Sequence, residues 1–321
     1  MKKDTPGRRF ARVVVGATLV FAGASAGAAE FINVLTGGTS GVYYPLGVAL
    51  SQIYGKALPE AKSSVQATKA SAENLNLLQS GRGEVGFSLG DSVAEAWKGN
   101  EEAGFKAPLK KLRTLAAIYP NYIQIVANAD SGIRTLADLK GKRVAVGAPK
   151  SGTELNARDI FKAAGMSYKD LAKVEYLPFG ESVELIKNRQ LDATLISAGL
   201  GVAAVRDLAS SIKIVVVPIP AEVVTKIGEA AYQVGTVPAN TYNGQAVDVA
   251  TVAVQNFLIT HEGVPVDTVY RMTKAMFDNL EQMVTAHTAA RAIRKQDAAK
   301  APPVPLHPGA EKYYREAGLI K

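Results

Sequence analysis

The sequence predicts an α/β protein of two lobes, with two mainly parallel sheets that are flanked by helices and joined by a two-strand hinge. Short apolar runs alternate with helix-like stretches along most of the chain, as they do in parallel α/β sheets. The length of 321 residues, 47% of them hydrophobic, suits about two globular units. Two strand-like runs also follow each other directly around Pro120, which is where a chain can cross between lobes.

Residues 1–28 are predicted to be a cleavable signal peptide. Basic residues stand near the start, an apolar run covers residues 13–26, and Ala26-Gly27-Ala28 matches an A-x-A cleavage signal. The apolar run is too short for a convincing membrane span. Arg8-Arg9 leaves a twin-arginine route open, although Sec-type export is favoured. We therefore expect the mature chain in the periplasm.

The net charge and the residue types narrow the function. The formal charge is +8, but the signal peptide carries five basic residues and one aspartate, which leaves about +4 for the mature chain. That charge is only weak evidence for nucleic-acid binding, and we do not expect nucleic acid as a partner. It does suit an anionic solute. The chain has no cysteine, only three scattered histidines and no G-x-S-x-G motif. No catalytic residue, metal or cofactor is therefore predicted, and an exported α/β enzyme stays as a minor alternative.

A glycine-rich loop at residues 36–47 is the most informative stretch. It follows a predicted strand, Phe31–Leu35, and leads into a predicted helix over about 42–57. A strand, a glycine-rich turn and a helix start place free N–H groups and a helix dipole at one spot, which favours an anion. The spacing fits neither a P-loop nor a dinucleotide fingerprint. Thr39 and Tyr43 are candidate ligand contacts here, and a plain chain reversal is the alternative.

Four further candidates come from the rest of the first lobe. A strand is predicted over 65–68, and Ser71 fits the N-cap of the helix that follows, with Asn74 three residues on. A plain N-cap is the alternative for Ser71. The strand at 86–89 ends just before Asp91, and ligands of α/β sheets lie beyond the carboxyl ends of strands. Lys69 is a candidate partner for a ligand carboxylate.

The second lobe repeats the pattern of strand, hydroxyl-rich turn and helix. Strand-like runs at 112–119 and 122–128 predict a hinge near 120–122. Ser151, Gly152 and Thr153 then form a second loop that suits an anion, with Lys150 as a further cationic candidate.

The remaining elements complete the two lobes, which we expect at 29–121 with 253–321, and at 122–252. Strands are predicted at 174–177, 191–196, 213–217 and 249–260, with helices at 181–189 and 266–287 and a last helix after Pro308. The return hinge is expected near the start of the 249–260 strand. Leu200 and Val202 are expected to make one end of the pocket roomier and more apolar.

The loop at 36–47 reads T-G-G-T-x-G-x-Y-Y-P-L-G and resembles the opening motif of the TAXI family, the solute-binding subunits of certain TRAP transporters. D-L-K-G-K-R-V at 138–144 is similar to a run that is widespread in periplasmic binding proteins. The resemblance implies a type II periplasmic-binding-protein fold, a glutamate- or glutamine-like ligand and a membrane TRAP permease as partner. It also implies that Ser71 and Asn74 face the ligand, whereas Leu89 replaces a glutamine common in relatives. We expect a monomer, and a ligand-sensing subunit of a membrane receptor is the other alternative.

Overall fold

The computed structural model describes Met1 and residues 31–321. The predicted apolar run, the cleavage signal and the arginine pair lie outside the described residues. Within the described part of the chain, no helix has the length and apolar character that crossing a membrane requires.

The described residues form ten strands that belong to one mixed sheet. The strands are β1 Phe31–Leu35, β2 Lys62–Gln66, β3 Val85–Leu89, β4 Leu112–Asn128, β5 Arg143–Ala145, β6 Lys173–Glu175, β7 Ala193–Ala198, β8 Ile214–Val217, β9 Tyr232–Val237 and β10 Val249–His261. The order along the sheet is β2-β1-β3-β10-β4-β7-β5-β6, with β8 paired to β4 and β9 paired to β10. The fold class predicted from the sequence is therefore confirmed.

Ten α-helices flank this sheet in the described region. They are α1 Tyr43–Ala57, α2 Ser71–Gln79, α3 Gly90–Lys98, α4 Gly152–Ala163, α5 Phe179–Lys187, α6 Ala203–Ser211, α7 Ala221–Ile227, α8 Val266–Asp278, α9 Leu280–Ala286 and α10 Pro308–Glu316. The helix expected over 266–287 is two helices, because Asn279 leaves the helical conformation between them.

The expectation of two separate sheets needs a correction, because two long strands run through both halves of the molecule. β4 continues through Pro120 as one strand, where the sequence predicted two. Its partner β10 pairs with it in antiparallel register from Tyr122–Ala253 to Leu112–His261. The register shifts between Gln255 and Phe257, next to the partner of Pro120, and such a bulge accommodates a proline that cannot donate a ladder hydrogen bond.

The outer strands give the sheet its two parallel parts. In what we call the first half, β2, β1 and β3 are parallel, and α1, α2, α3 and α8–α10 pack beside them. In the second half, β6, β5 and β7 are parallel and are covered by α4–α7. Two buried clusters lie mainly within one half each, around Leu75 and Phe105 in the first and around Val144 and Phe161 in the second, and a third, larger cluster extends through both halves. The carboxyl ends of the parallel strands of the two halves face each other across β4 and β10, which positions the site.

Candidate functional site

A cavity of about 100 Å³ lies between the two halves at the carboxyl ends of their strands. Four loops form most of its wall: residues 37, 38 and 41–43, residues 68–71, residues 148 and 151–153, and residues 178–179. The strands add Leu89, Tyr119, Asn121, Ser197 and Ala198. A volume of roughly 10–15 Å³ holds one water molecule, so this cavity suits a compact ligand with few non-hydrogen atoms.

Five helices begin at the wall of this cavity. Their N-cap residues are Val42 for α1, Ala70 for α2, Leu89 for α3, Ser151 for α4 and Pro178 for α5, and all five contact the cavity. The first turn of an α-helix has backbone N–H groups without an intrahelical acceptor, and the helix dipole makes that end positive. Three of these helices come from the first half and two from the second, so the positive ends converge on the cavity from both sides.

Few of these free backbone N–H groups donate a hydrogen bond to an N-cap side chain. The Ser151 hydroxyl accepts a hydrogen bond from the Glu154 amide at 3.1 Å, while the N-cap side chains of α1, α2 and α5 make no capping bond. Ala70 has φ 71°, a conformation that residues with a side chain rarely adopt. Such outliers concentrate at ligand sites, and here the conformation turns the chain into α2 beside the cavity.

Charged side chains contribute little to the cavity wall. Among the described residues that line it, Lys69 alone is charged, and its side chain is exposed. Glu73 in the first turn of α2 accepts the Lys69 amide at 2.6 Å, and the buried Glu154 of α4 pairs with Arg158 at 2.6 Å. Over residues 31–321, no group of three or more histidines and carboxylates could hold a metal ion. The field in the cavity therefore comes mainly from backbone dipoles.

A buried network of polar side chains supports one side of the cavity. The Tyr43 hydroxyl donates to Oδ1 of Asn256, and Nδ2 of Asn256 donates to Oδ1 of Asn121 at 2.7 Å. Asn121 in turn donates to the carbonyl of Ser197 at 2.9 Å. Burial raises the pKa of Tyr43 well above its ordinary value, so the tyrosine stays neutral. The network ties α1 and β10 to β4 and to β7 of the second half.

Two hydroxyls of cavity-lining residues have no partner within the described part of the protein. The Tyr119 hydroxyl and the Ser197 Oγ are both buried, and neither has a hydrogen-bond partner. A buried hydroxyl without a partner is costly, so such groups usually serve a ligand or an ordered water. Both hydroxyls can donate or accept.

Six of the residues singled out in the sequence lie together on the cavity wall: Tyr43, Lys69, Ser71, Ser151, Gly152 and Thr153. The first three come from the first half and the last three from the second. The glycine-rich loop and the S-G-T loop therefore meet at one cavity. Ser71 is not the N-cap, because Ala70 takes that position, and the Ser71 hydroxyl accepts the Leu89 amide at 3.2 Å.

The structure does not place Thr39, Asn74, Asp91 or Lys150 on this wall. Thr39 lines an open groove beside the cavity, with Ser40 and Gly180. Asn74 is fully buried and donates to the carbonyls of Thr36 at 2.7 Å and Phe87 at 2.8 Å, so it ties α2 to the loop after β1 and to β3.

Asp91 is also buried, but its partners are Asn156 and Tyr232 of the second half. Both Leu200 and Val202, expected at one end of the pocket, lie away from the cavity wall, and Val202 belongs to the hydrophobic core. The residues Ser197 and Ala198 occupy that end instead.

The two halves touch on either side of the cavity. A Cβ at Gly152 of α4 would lie 2.6 Å from both Leu89 Cδ1 and Ser71 Oγ of the first half. A Cβ at Gly41 would lie 3.7 Å from the Phe179 ring of α5. The halves are therefore closed around the cavity, and glycine at position 152 permits the closest approach.

Sequence reasoning missed several wall residues. Tyr119, Asn121 and Ser197 lie within strands, and the pattern of apolar residues does not show which face of a central strand meets the cavity. Pro178-Phe179 could have been found, because this pair lies between the predicted strand at 174–177 and the predicted helix at 181–189, as the two recognised loops lie between a strand and a helix.

The chain is similar to a known protein family and to several solved structures. The NMT1-like family matches residues 34–318. PhnD1 from Prochlorococcus marinus, solved with methylphosphonate, is similar over 91% of this chain and 100% of its own, with a TM-score of 0.58 and 12% identity. The alkanesulfonate-binding protein SsuA from Xanthomonas axonopodis pv. citri, bound to MOPS, is similar over 90% and 85%, with a TM-score of 0.50 and 16% identity. At these identities the likeness shows the fold alone, that of the periplasmic binding proteins.

Proposed function

The chain belongs to the NMT1-like family, and on that premise we propose that it is an extracytoplasmic solute-binding protein that takes a small anion into the cavity between its halves. The proposal rests above all on the five helix N-termini that meet at the cavity, three from the first half and two from the second. Each free N-terminus stabilises a nearby negative charge by about 0.3–1 kcal/mol, and by up to ~2 kcal/mol when it is partly buried. The protein acts as a carrier and not as an enzyme.

The chemistry of the wall favours a carboxylate over a cation or an apolar compound. Backbone amides and the hydroxyls of Ser71, Ser151 and Thr153 can donate to carboxylate oxygens. The unpartnered hydroxyls of Tyr119 and Ser197 can bind a second polar group of the ligand. A small amino acid or carboxylic acid of the glutamate or glutamine kind has both groups. Relatives in the fold hold methylphosphonate and a sulfonate buffer, which are also compact anions.

Ligand contacts are proposed for Tyr43, Ser71, Ser151, Gly152 and Thr153, with Lys69 as a solvent-exposed partner at the mouth. Thr39 can contact a ligand only if the neighbouring groove is used, and Asn74 positions the wall without touching the solute.

Closure of two lobes is the proposed mechanism. The lobes comprise residues 29–121 with 253–321 and residues 122–252, and they meet where Tyr122 pairs with Ala253. A solute that contacts both lobes binds the closed form better and so shifts the population toward it. In line with the TAXI-like motif at 36–47, the closed monomer delivers its solute from the periplasm to a TRAP-type membrane permease. Residues 1–28 serve as the export signal.

A thermal-shift screen tests this function. Residues 29–321 are refolded to remove any solute carried through purification, and then mixed with amino acids, dicarboxylates, short monocarboxylates and neutral amides. A ligand at 100 times its Kd stabilises the folded state by ~2.7 kcal/mol, which raises the Tm measurably. We expect a Tm increase with at least one carboxylate.

Two variants make the screen specific for the cavity. Ala148→Trp places an indole at the cavity wall and should abolish the ligand-induced shift. Ala172→Trp adds the same indole at an exposed position and should leave the shift intact. A shift that Ala148→Trp retains would locate binding elsewhere, and no shift with any carboxylate would count against the proposed function.

A further inference from the structure

A buried cluster of polar side chains joins the two halves away from the cavity. Asp91 stands at the start of α3 in the first half, while Asn156 and Asp159 of α4 and Tyr232 of β9 belong to the second. The Tyr232 hydroxyl lies 2.9 Å from Oδ2 of Asp91 and 2.6 Å from Oδ2 of Asp159. Nδ2 of Asn156 lies 2.7 Å from the same Asp91 oxygen and 3.0 Å from the Tyr232 hydroxyl. Every described polar link to Asp91 from the second half passes through this cluster.

The hydrogen bonds of the cluster require one of its two carboxyl groups to carry a proton. A tyrosine hydroxyl has one hydrogen, so Tyr232 can donate to Asp91 or to Asp159 but not to both. The two N–H groups of Asn156 are directed to Asp91 and to the Tyr232 oxygen, and neither reaches Asp159. The second carboxyl therefore satisfies its contact with Tyr232 only if it carries a proton and donates.

The surroundings of the cluster favour the protonated form of a carboxyl group. Asp91 is 3% exposed, and burial raises its pKa to about 7. Burial also raises the pKa of Asp159. The charged groups that face the cluster from α3, α4 and the turn before β9 are Glu95, Lys98, Arg158, Lys162 and Glu229. Two of the three cations are engaged elsewhere, since Lys98 pairs with Glu95 at 2.8 Å and Arg158 with Glu154 at 2.6 Å.

We propose that the Asp91–Tyr232–Asp159 cluster binds one proton when the two halves close, which makes it a pH-sensitive latch between them. In an open form Asp91 separates from Tyr232 and Asn156 and gains water, so both carboxyls ionise. The closed form then holds more protons than the open form, and closure weakens as the pH rises. With one proton taken up, the ratio of closed to open protein falls by at most about tenfold per pH unit.

The distance between the halves, measured in the absence of solute, tests the latch. The chain has no cysteine, so Lys106→Cys in the first half and Lys169→Cys in the second accept two spin labels without background. We expect the distance distribution from electron paramagnetic resonance to shift to the longer, open population as the pH rises from about 4 to about 7, that is, between the ordinary pKa of an aspartate and the raised pKa of Asp91 in the closed form. Asp91→Asn is neutral at every pH and should abolish this shift. Asp278→Asn, an exposed carboxylate of α8, should not.

Infrared difference spectra give a second readout, which reports the bound proton itself and not the distance between the halves. The stretching band of a buried protonated carboxyl should be present in the wild type at about pH 6 and absent in both Asp91→Asn and Asp159→Asn. Should Asp91→Asn fail to fold, Asp159→Asn takes its place in the distance measurement. A wild-type distance that does not respond to pH, or a response that both asparagine variants retain, overturns the latch. Because no solute is added, such a failure leaves the proposed function untouched.

Discussion

Gly152→Ala should weaken solute binding without weakening the fold. Gly152 is the first residue of α4 and its φ is not in the left-handed region, so its backbone accepts alanine. The added Cβ would lie 2.6 Å from both Leu89 Cδ1 and Ser71 Oγ, and 3.0 Å from Ser71 Cβ. Both neighbours belong to the first half, so the clash exists only when the halves are closed.

The size of the expected loss of affinity follows from the free-energy cost of overpacking. Inserting a methyl group into a well-packed contact costs about 1–3 kcal/mol when the neighbours cannot move away freely. Ser71 is held by the Leu89 amide and Leu89 lies in the buried end of β3, which limits their movement. Since each 1.4 kcal/mol is a factor of ten, the affinity for solute should fall about 5- to 150-fold.

The assay is calorimetric titration with the tightest-binding acid from the thermal-shift panel. Gly55→Ala in α1 is the matched control, because its nearest neighbour outside its own helix is Ser63 Cβ at 3.9 Å. Alanine inside a helix is favoured over glycine by roughly 0.5–1 kcal/mol, so the control should raise the Tm and keep the wild-type Kd. Wild-type affinity in Gly152→Ala would refute the reasoning that the closed form seen here is the binding form.

Three other variants separate binding from structural roles. Asn74→Ala should lower the free energy of unfolding in urea by roughly 1–3 kcal/mol, because it removes the hydrogen bonds that Asn74 donates to two buried carbonyls, and an unchanged stability would contradict its positioning role. Lys69→Ala should weaken the binding of a carboxylate ligand by less than ~1 kcal/mol in calorimetry, because the Lys69 side chain is exposed. A fall in affinity of more than about tenfold would indicate a buried ion pair. Burial lowers the pKa of His307 from 6.5 to about 4, so the wild type should lose stability as the pH falls between these values. His307→Asn keeps an acceptor for the Gly309 amide and should flatten that part of the curve of Tm against pH, whereas an identical curve would exclude His307 as the cause.

The loops of the site could be predicted because their signals are local. A strand, a turn of small polar residues and a helix start stand next to each other in the sequence at 36–47 and at 151–153, and both loops reach the cavity. The direction of individual side chains could not be predicted in this way. Asn74 and Asp91 were placed in the correct region, but one faces Thr36 and Phe87 and the other faces α4.

Pairing between strands that are distant in the sequence explains the other differences between the prediction and the structure. Pro120 was expected to separate two strands, yet the bulge in β10 lets β4 continue, which joins two predicted sheets into one. The same long strand carries Tyr119 and Asn121 to the cavity, and their role depends on the register with β10 and β7. Neither register can be read from a single stretch of sequence.

The central claim is that helix N-termini, and not a charged side chain, hold an anionic group in the cavity. The most direct test is the Kd of the tightest-binding carboxylic acid compared with that of its uncharged primary amide, measured on refolded residues 29–321 with both wild-type Lys69 and Lys69→Ala. We expect the acid to bind at least about tenfold more tightly than the amide in both proteins. Equal affinities for acid and amide would contradict it, and so would a preference for the acid that disappears with Lys69.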